Sequence, residues 1–338
     1  MKKRTLLHTL VVGAMFSVAF QSCKKENGID NEKIIKKPYG LYATDIDGQL
    51  LHSTDGEEYD VLLPAESYPA RALTYSAAAI YWLKGNLHVS RDNGQNFNPA
   101  LTLQPVATPT PWQTSILSAM DQNRVYVTDQ RDRGIYLTDD DGKNWFADAK
   151  WDEGLIAGNI NSLAQLMNGT MFARSETTDS IYRKDNKDDN WSMVVPDATK
   201  TQLPDGQFFL SRYNNELIAT DRTGKNGVFH TSDATGWTAY TGLPKRALYT
   251  TIAPLDEVLL VGTDSFGVYR LQGNQFVPSN NGLTDYSSVY GIAGKEVIYK
   301  NNIRKTFIFL ATNKGLFRSE DVGNNWVKVN DGSYIGVH

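Results

Sequence analysis

The stretch Thr138–Trp145, TDDDGKNW, has near-copies far away in the same chain, SRDNGQNF from Ser90 and SEDVGNNW from Ser319. The shared pattern is Ser/Thr-x-Asp-x-Gly-x-x-aromatic. It is carried by Ser90, Asp92, Gly94 and Phe97, then by Thr138, Asp140, Gly142 and Trp145, and last by Ser319, Asp321, Gly323 and Trp326. A catalytic motif is needed once, so a motif written repeatedly belongs to a scaffold. Its residue types agree with that reading. Asp accepts hydrogen bonds from turn amides, Ser or Thr ties back to the same loop, and Gly takes a positive φ that other residues avoid. The aromatic, three residues on, is placed to fill the packing between neighbouring sheets.

A short alternating stretch runs into each copy: GNLHVSRD, GIYLTDD and GLFRSED. Four more stretches have the same form with a decayed motif: GQLLHSTD from Gly48, SIYRKD from Ser180, GVFHTSD from Gly227 and GVYRLQG from Gly267. That makes seven units of about 45 residues each, the length of a four-stranded propeller blade. Aromatic residues make up 11% of the chain, which favours strands. Every unit but the first also has an inner-strand candidate. The first begins at Tyr39 without one, and SYIGVH (Ser333–His338) is left over at the other end. We therefore expect an all-β, seven-bladed β-propeller of four-stranded antiparallel blades. Its first blade should be completed by the C-terminal strand, with Tyr334–His338 pairing with Leu41–Ala43. Such closure removes two open sheet edges.

The three intact motifs resemble Asp-box repeats, also called bacterial neuraminidase (BNR) repeats. These occur in sialidases, xyloglucanase-type glycoside hydrolases, sortilin-type receptors and photosystem-assembly factors. The resemblance covers nearly all of residues 38–338 and implies the propeller architecture. It implies little about activity, because function lives in sites placed on a fold. The Phe/Tyr-Arg-Ile-Pro segment of sialidases does not occur. Their carboxylate-gripping arginines also have no counterpart, since Arg71 and Arg246 start inner strands whereas Arg212 lies near the far end of one. Xyloglucanase-type enzymes use two propellers with carboxylates facing across a cleft, and this chain has residues for one. Asp45, Asp129, Glu176, Asp221 and Asp264 each follow a second strand, a regularity that points to turn chemistry.

The N-terminus has a separate layout. MKKR is a positive segment, TLLHTLVVGAMFSVAF is a short apolar run, and Cys23 is the sole cysteine. This is the form of a secretory signal. Ser22 followed by a lone Cys resembles the lipobox of bacterial lipoproteins, with Phe20 where Leu is usual. The resemblance implies a signal peptide over 1–22, lipidation at Cys23 and a polar tether over 23–37. Lys24 and Lys25 lack the Asp that marks inner-membrane retention in some Gram-negative bacteria, so the outer membrane is the expected location.

Other chemistries have no template here. The formal net charge of −4 leaves no basic footprint for nucleic acid. The five histidines form no His-x-x-x-His pair, and no nucleophile elbow, Walker loop or Gly-x-Gly-x-x-Gly segment occurs. Asp139–Gly142 resembles the start of a calcium loop, but Lys143 stands where such a loop needs an oxygen ligand. No cofactor or metal is expected, and the chain is expected to be a monomer.

Trp145, Trp191, Trp237 and Trp326 belong to intact or decayed motifs, which leaves Trp82, Trp112 and Trp151. These map to the loop face of blades two to four, with Arg131, Arg133, Asp152 and Glu153 nearby. Aromatic side chains beside polar groups suit a glycan or a protein partner. The alternative is that the tryptophans fill gaps between blades. The sequence thus points to a non-catalytic, lipid-anchored envelope binding protein, with a glycoside hydrolase as the alternative. Cys23→Ser should release the protein from the membrane fraction, and a fatty-acid probe should label the wild type. A wild type that takes up no label contradicts the anchor.

Overall fold

Runs of Val, Ile, Tyr and Phe alternating with polar residues form strands, and Gly, Asp and Asn clusters end them. The structure is a computed structural model that describes residues 40–64, 72–76, 78–84, 86–101, 116–118, 124–129, 134–149, 159–255, 257–283, 287–299 and 303–338. The expected signal peptide over 1–22, the expected tether over 23–37 and the expected lipidation site Cys23 lie outside the described residues.

The first three strands are β1 (Leu41–Asp45), β2 (Leu50–Ser53) and β3 (Asp60–Leu63). Blade 2 holds β4 (Ala72–Tyr75), β5 (Ile80–Lys84), β6 (Asn86–Ser90) and β7 (Asn98–Leu101). Blade 3 holds β8 (Ile116–Ser118), β9 (Val125–Asp129), β10 (Gly134–Thr138) and β11 (Phe146–Ala149). Blade 4 holds β12 (Ile160–Gln165), β13 (Met171–Ser175), β14 (Ile181–Lys184) and β15 (Ser192–Met193). Blade 5 holds β16 (Phe208–Tyr213), β17 (Glu216–Asp221), β18 (Val228–Thr231) and β19 (Thr238–Ala239). Blade 6 holds β20 (Tyr249–Leu255), β21 (Val258–Thr263), β22 (Val268–Gln272) and β23 (Gln275–Pro278). Blade 7 holds β24 (Val289–Ile298), β25 (Arg304–Thr312), β26 (Gly315–Ser319) and β27 (Val327–Asn330), and β28 (Tyr334–Val337) follows.

Six sheets keep chain order from inner to outer strand, and the seventh runs β28-β1-β2-β3. This is the expected seven-bladed propeller, closed by the C-terminal strand. The closing register pairs Ala43 with Val337, Thr44 with Gly336 and Asp45 with Tyr334. Tyr42 and His338 exchange backbone hydrogen bonds of 3.0 and 2.8 Å. Pairing runs from Tyr42 to Asp45 of the strand that contains Leu41–Ala43, and a bulge after Thr44 absorbs one residue of β28.

The core lies between blades. One cluster joins Val258, Leu260 and Val268 of blade 6 to Val289, Ile308, Leu310, Phe317 and Trp326 of blade 7. Another joins Tyr126 and Ile135 of blade 3 to Ile160, Leu163, Met171, Tyr182 and Trp191 of blade 4. Because each sheet is covered on both faces, β13 and β21 are buried along their whole length. Each buried large apolar side chain contributes roughly 1.5–3 kcal/mol.

The recurrent motif forms one turn in all its intact copies. In the second copy the Thr138 hydroxyl donates to Asp140 Oδ1 at 2.9 Å and accepts the Gly142 N–H at 3.0 Å. Asp140 Oδ1 also accepts the Lys143 and Asn144 amides at 3.0 and 2.9 Å. Ser90 with Asp92, and Ser319 with Asp321, repeat the arrangement. The backbone amide of Asn144 leads the groups that hold the Asp140 carboxyl down at about 2. Gly142 has φ 74°, and a Cβ there would lie 2.9 Å from Val89 Cγ2 and 3.0 Å from Tyr81 Cε1 of the preceding blade. The glycine therefore serves both the turn and the close approach of two blades. The aromatic seals the same seam: Trp145 meets Tyr81 edge-on at 6.1 Å, and Trp326 Nε1 donates to Ser279 O at 2.7 Å.

The decayed copies show what the turn can lose. Ser53 with Asp55 and Thr231 with Asp233 keep the hydroxyl–carboxylate bond. In blade 4, Lys184 occupies the Ser/Thr position. Its buried ammonium donates to both oxygens of Asp148 on blade 3 at 2.8 Å and to Lys187 O at 3.2 Å. Trp191 Nε1 donates to the same Asp148 at 2.7 Å.

Deleting residues 334–338 leaves β1 and the ring unclosed. The variant should melt at a lower temperature and aggregate on size-exclusion chromatography. A monomeric variant with the wild-type Tm contradicts this account of closure.

Candidate functional site

Antiparallel connectivity sorts the strand ends into two faces. First-to-second and third-to-fourth turns share one, here the turn face. Second-to-third and fourth-to-first loops share the other, the loop face, where the sequence places its candidate residues.

Trp82 does not meet the expectation of solvent access. It is 3% exposed, pairs across the sheet with Leu73 and His88, and meets the Phe97 ring edge-on at 5.1 Å. Ile80 and Phe97 pack into the cluster between blades 1 and 2. Trp82 is therefore a packing side chain. Trp112, Trp151, Arg131, Arg133, Asp152 and Glu153 lie outside the described residues.

The described loop face of blades 5 to 7 carries a different set. Leu248 N–H donates to Asp264 Oδ1 and Asp264 N–H to Leu248 O, each at 3.1 Å. Gly267 N–H donates to Ser287 O at 3.2 Å, and the Ser288 hydroxyl donates to Asp264 O. Ser288 N–H donates to Asn313 Oδ1 at 3.0 Å, which joins the next loop. On this net Leu248, Phe266 and Tyr290 are 50%, 48% and 38% exposed. Arg246, exposed and with φ 74°, stands at the rim.

Buried guanidiniums hold the platform from below. Arg174 of blade 4 donates to Phe208 O at 2.9 Å and Gly206 O at 3.0 Å on blade 5, and pairs with Asp179. Arg222 of blade 5 donates to Thr250 O on blade 6 and sits 4.9 Å from the Phe209 ring. Burial lowers Arg222 to about 10, so it stays charged near neutrality. Arg174 shares Phe208 O with Asn161 Nδ2, which donates to it at 3.1 Å, and each cation ties its blade to the inner-strand end of the next.

Three of the five regularly placed carboxylates accept backbone amides, two of them in their own turns, and the Asp129 side chain lies outside the described residues. Asp45 accepts Gln49 N–H at 2.8 Å, Asp221 accepts Thr223 and Asn226 amides at 3.0 Å, and Asp264 accepts Leu248. Arg246 and Arg212 lie at opposite ends of their blades, as expected, and Arg71 lies outside the described residues. Among the described residues no three His, Cys, Asp or Glu side chains gather as metal ligands. A cleft of about 170 Å³ between blades 3 and 4 opens on the turn face, lined by Arg124, Asn168, Asp185 and Lys187 among others.

The exposed set has a sequence signal that pattern counting passes over. Phe266 in TDSFG and Ile46 in TDIDG are large apolar residues inside second-to-third-strand loops, which are otherwise polar. Ile46 is also exposed.

The fold and this surface define a propeller whose loop face is a fixed platform. No family model matches the chain, and no curated protein matches it. Among solved structures it is similar to YCF48 bound to D1 peptide, with 12% identity, TM-score 0.52, and coverage of 81% of this chain and 93% of that one. YCF48 from Cyanidioschyzon merolae gives 14%, 0.53, 80% and 96%. The GH74 enzyme of Niastella koreensis gives 15% identity, TM-score 0.55 and 84% of this chain, which spans only 41% of that enzyme. At these identities the likeness is one of fold.

Trp82→Ala should cost about 3–5 kcal/mol in denaturant unfolding, as for other buried tryptophans. A loss below about 1 kcal/mol, the usual scale of a surface change, contradicts the packing role.

Proposed function

We propose that this protein is a non-catalytic, lipid-anchored binding protein of the cell envelope, and that it takes its partner on the loop face. The observation that carries the reading is the exposed set of Leu248, Phe266 and Tyr290 on loops locked together by hydrogen bonds. Loops tied in this way have little backbone freedom left to lose on binding, and aromatics with a neighbouring Arg are typical of protein interfaces. Leu beside Phe suits a protein segment better than a sugar. The propeller of YCF48 has been captured with a peptide, which agrees with that choice. The committed turn roles of Asp45, Asp221 and Asp264 weigh against the alternative, a glycoside hydrolase, which needs two free carboxyl groups.

A photo-crosslinking amino acid at position 266 should capture a discrete envelope protein in cells, whereas one at exposed Met193 on an outer strand should not. Phe266→Ala should leave Tm unchanged. Equal capture from both positions contradicts the loop-face site. Release of reducing ends from envelope or plant polysaccharides by purified protein moves the reading to the hydrolase.

A further inference from the structure

The β24–β25 hairpin differs from the others on the turn face. Ile308 pairs with Ser319, the residue that opens its box turn, yet β25 begins at Arg304. Pairing continues below that level through Phe307 with Lys295, Thr306 with Glu296, Lys305 with Val297 and Arg304 with Ile298. At about 3.3 Å per residue the hairpin projects roughly 13 Å past the turn. In blades 3 to 5 the second strand starts within a residue of the corresponding position: Val125 pairs with Thr138, Met171 with Lys184, and Leu217 with Thr231.

The projection is rigidly based and exposed at its end. Val297 and Phe307 are buried in the cluster between blades 7 and 1, with Tyr59 and Tyr299 packed against it. Ile303 is 52% exposed, and Arg304, Lys305 and Thr306 are exposed beside it. Arg304 is paired with Glu296 at 3.1 Å, and Glu57 and Glu320 lie on the same face in pairs with Arg318. Net charge does not distinguish this surface; the exposed Ile303 beside Arg304 and Lys305 on a projecting hairpin does.

The described chain also starts on this face. Leu41 pairs with Ser53, which opens the box turn of blade 1, so Gly40 lies at the turn end of its blade. Sixteen residues lie between Cys23 and Gly40. Fully extended, a chain of that length reaches at most about 60 Å. The anchor proposed at Cys23 is thus joined to the propeller at its turn face.

We infer that the turn face of the propeller lies toward the membrane, that the β24–β25 tip contacts the phospholipid headgroups through Ile303, Arg304 and Lys305, and that the loop face points away. The inference rests on the proposed lipid anchor at Cys23. Apolar insertion at the tip would come with cations placed to meet lipid phosphates.

The test uses the full-length lipidated protein in proteoliposomes of phosphatidylethanolamine and phosphatidylglycerol. An environment-sensitive fluorophore is placed on Thr306→Cys or, on the loop face, on Lys314→Cys. The Thr306→Cys label should shift to the blue and lose emission to a lipid-borne quencher, and the Lys314→Cys label should do neither. Adding Ile303→Asp should abolish the quenching at position 306 while the protein stays in the membrane fraction. A Thr306→Cys label that is not quenched in fatty-acid-labelled, membrane-bound protein overturns this orientation and leaves the anchor standing, as does equal quenching at both positions. Absence of fatty-acid labelling at Cys23 overturns the anchor and this inference together.

Discussion

The hydrogen bonds between Tyr42 and His338 join the two ends of the described chain, and the rest of the molecule depends on them. A twisted sheet with apolar groups on both faces cannot stand alone in water. It needs a neighbour on each side, and in a row of seven the first and last sheets lack one. Building one sheet from both ends of the chain turns the row into a ring. The protein has a single cysteine, so this ladder takes the place that a disulfide clasp could otherwise fill.

Closure also sets what the recurrent turn must do. Blades in a ring approach most closely along their seams, where Gly142 leaves no room for a side chain and Trp145 and Trp326 fill the wider gaps. The carboxylate and hydroxyl hold that glycine and that aromatic in place. The motif recurs because the seam recurs. The loops of the opposite face are free of that constraint, and those of blades 5 to 7 are tied to one another.

Architecture was legible because it is periodic. The box turns, the number of units and the missing inner strand all followed from counting, and the structure bears out each. Trp82 was left between two readings for a physical reason. In a half-exposed strand the polar face identifies what faces water, but strands between two blades are apolar on both faces, so alternation cannot separate Tyr81 and Leu83 from Ile80 and Trp82. The exposed platform residues were missed for the converse reason. Leu248 and Phe266 belong to no repeat, and only their location in otherwise polar loops sets them apart.

Blade 4 departs from the common turn, and its departure has a consequence for descent. Elsewhere the turn's hydroxyl and carboxylate bond to each other within one blade, so losing that pair leaves no buried charge on a neighbour. Lys184 and Asp148 lie on different blades and are both largely buried. Losing either alone strands a charge, at about 3–5 kcal/mol. Their positions must therefore drift together or not at all. Among related sequences, blades 3 and 4 should change as a linked pair, while turns such as that of Ser90 and Asp92 come and go singly.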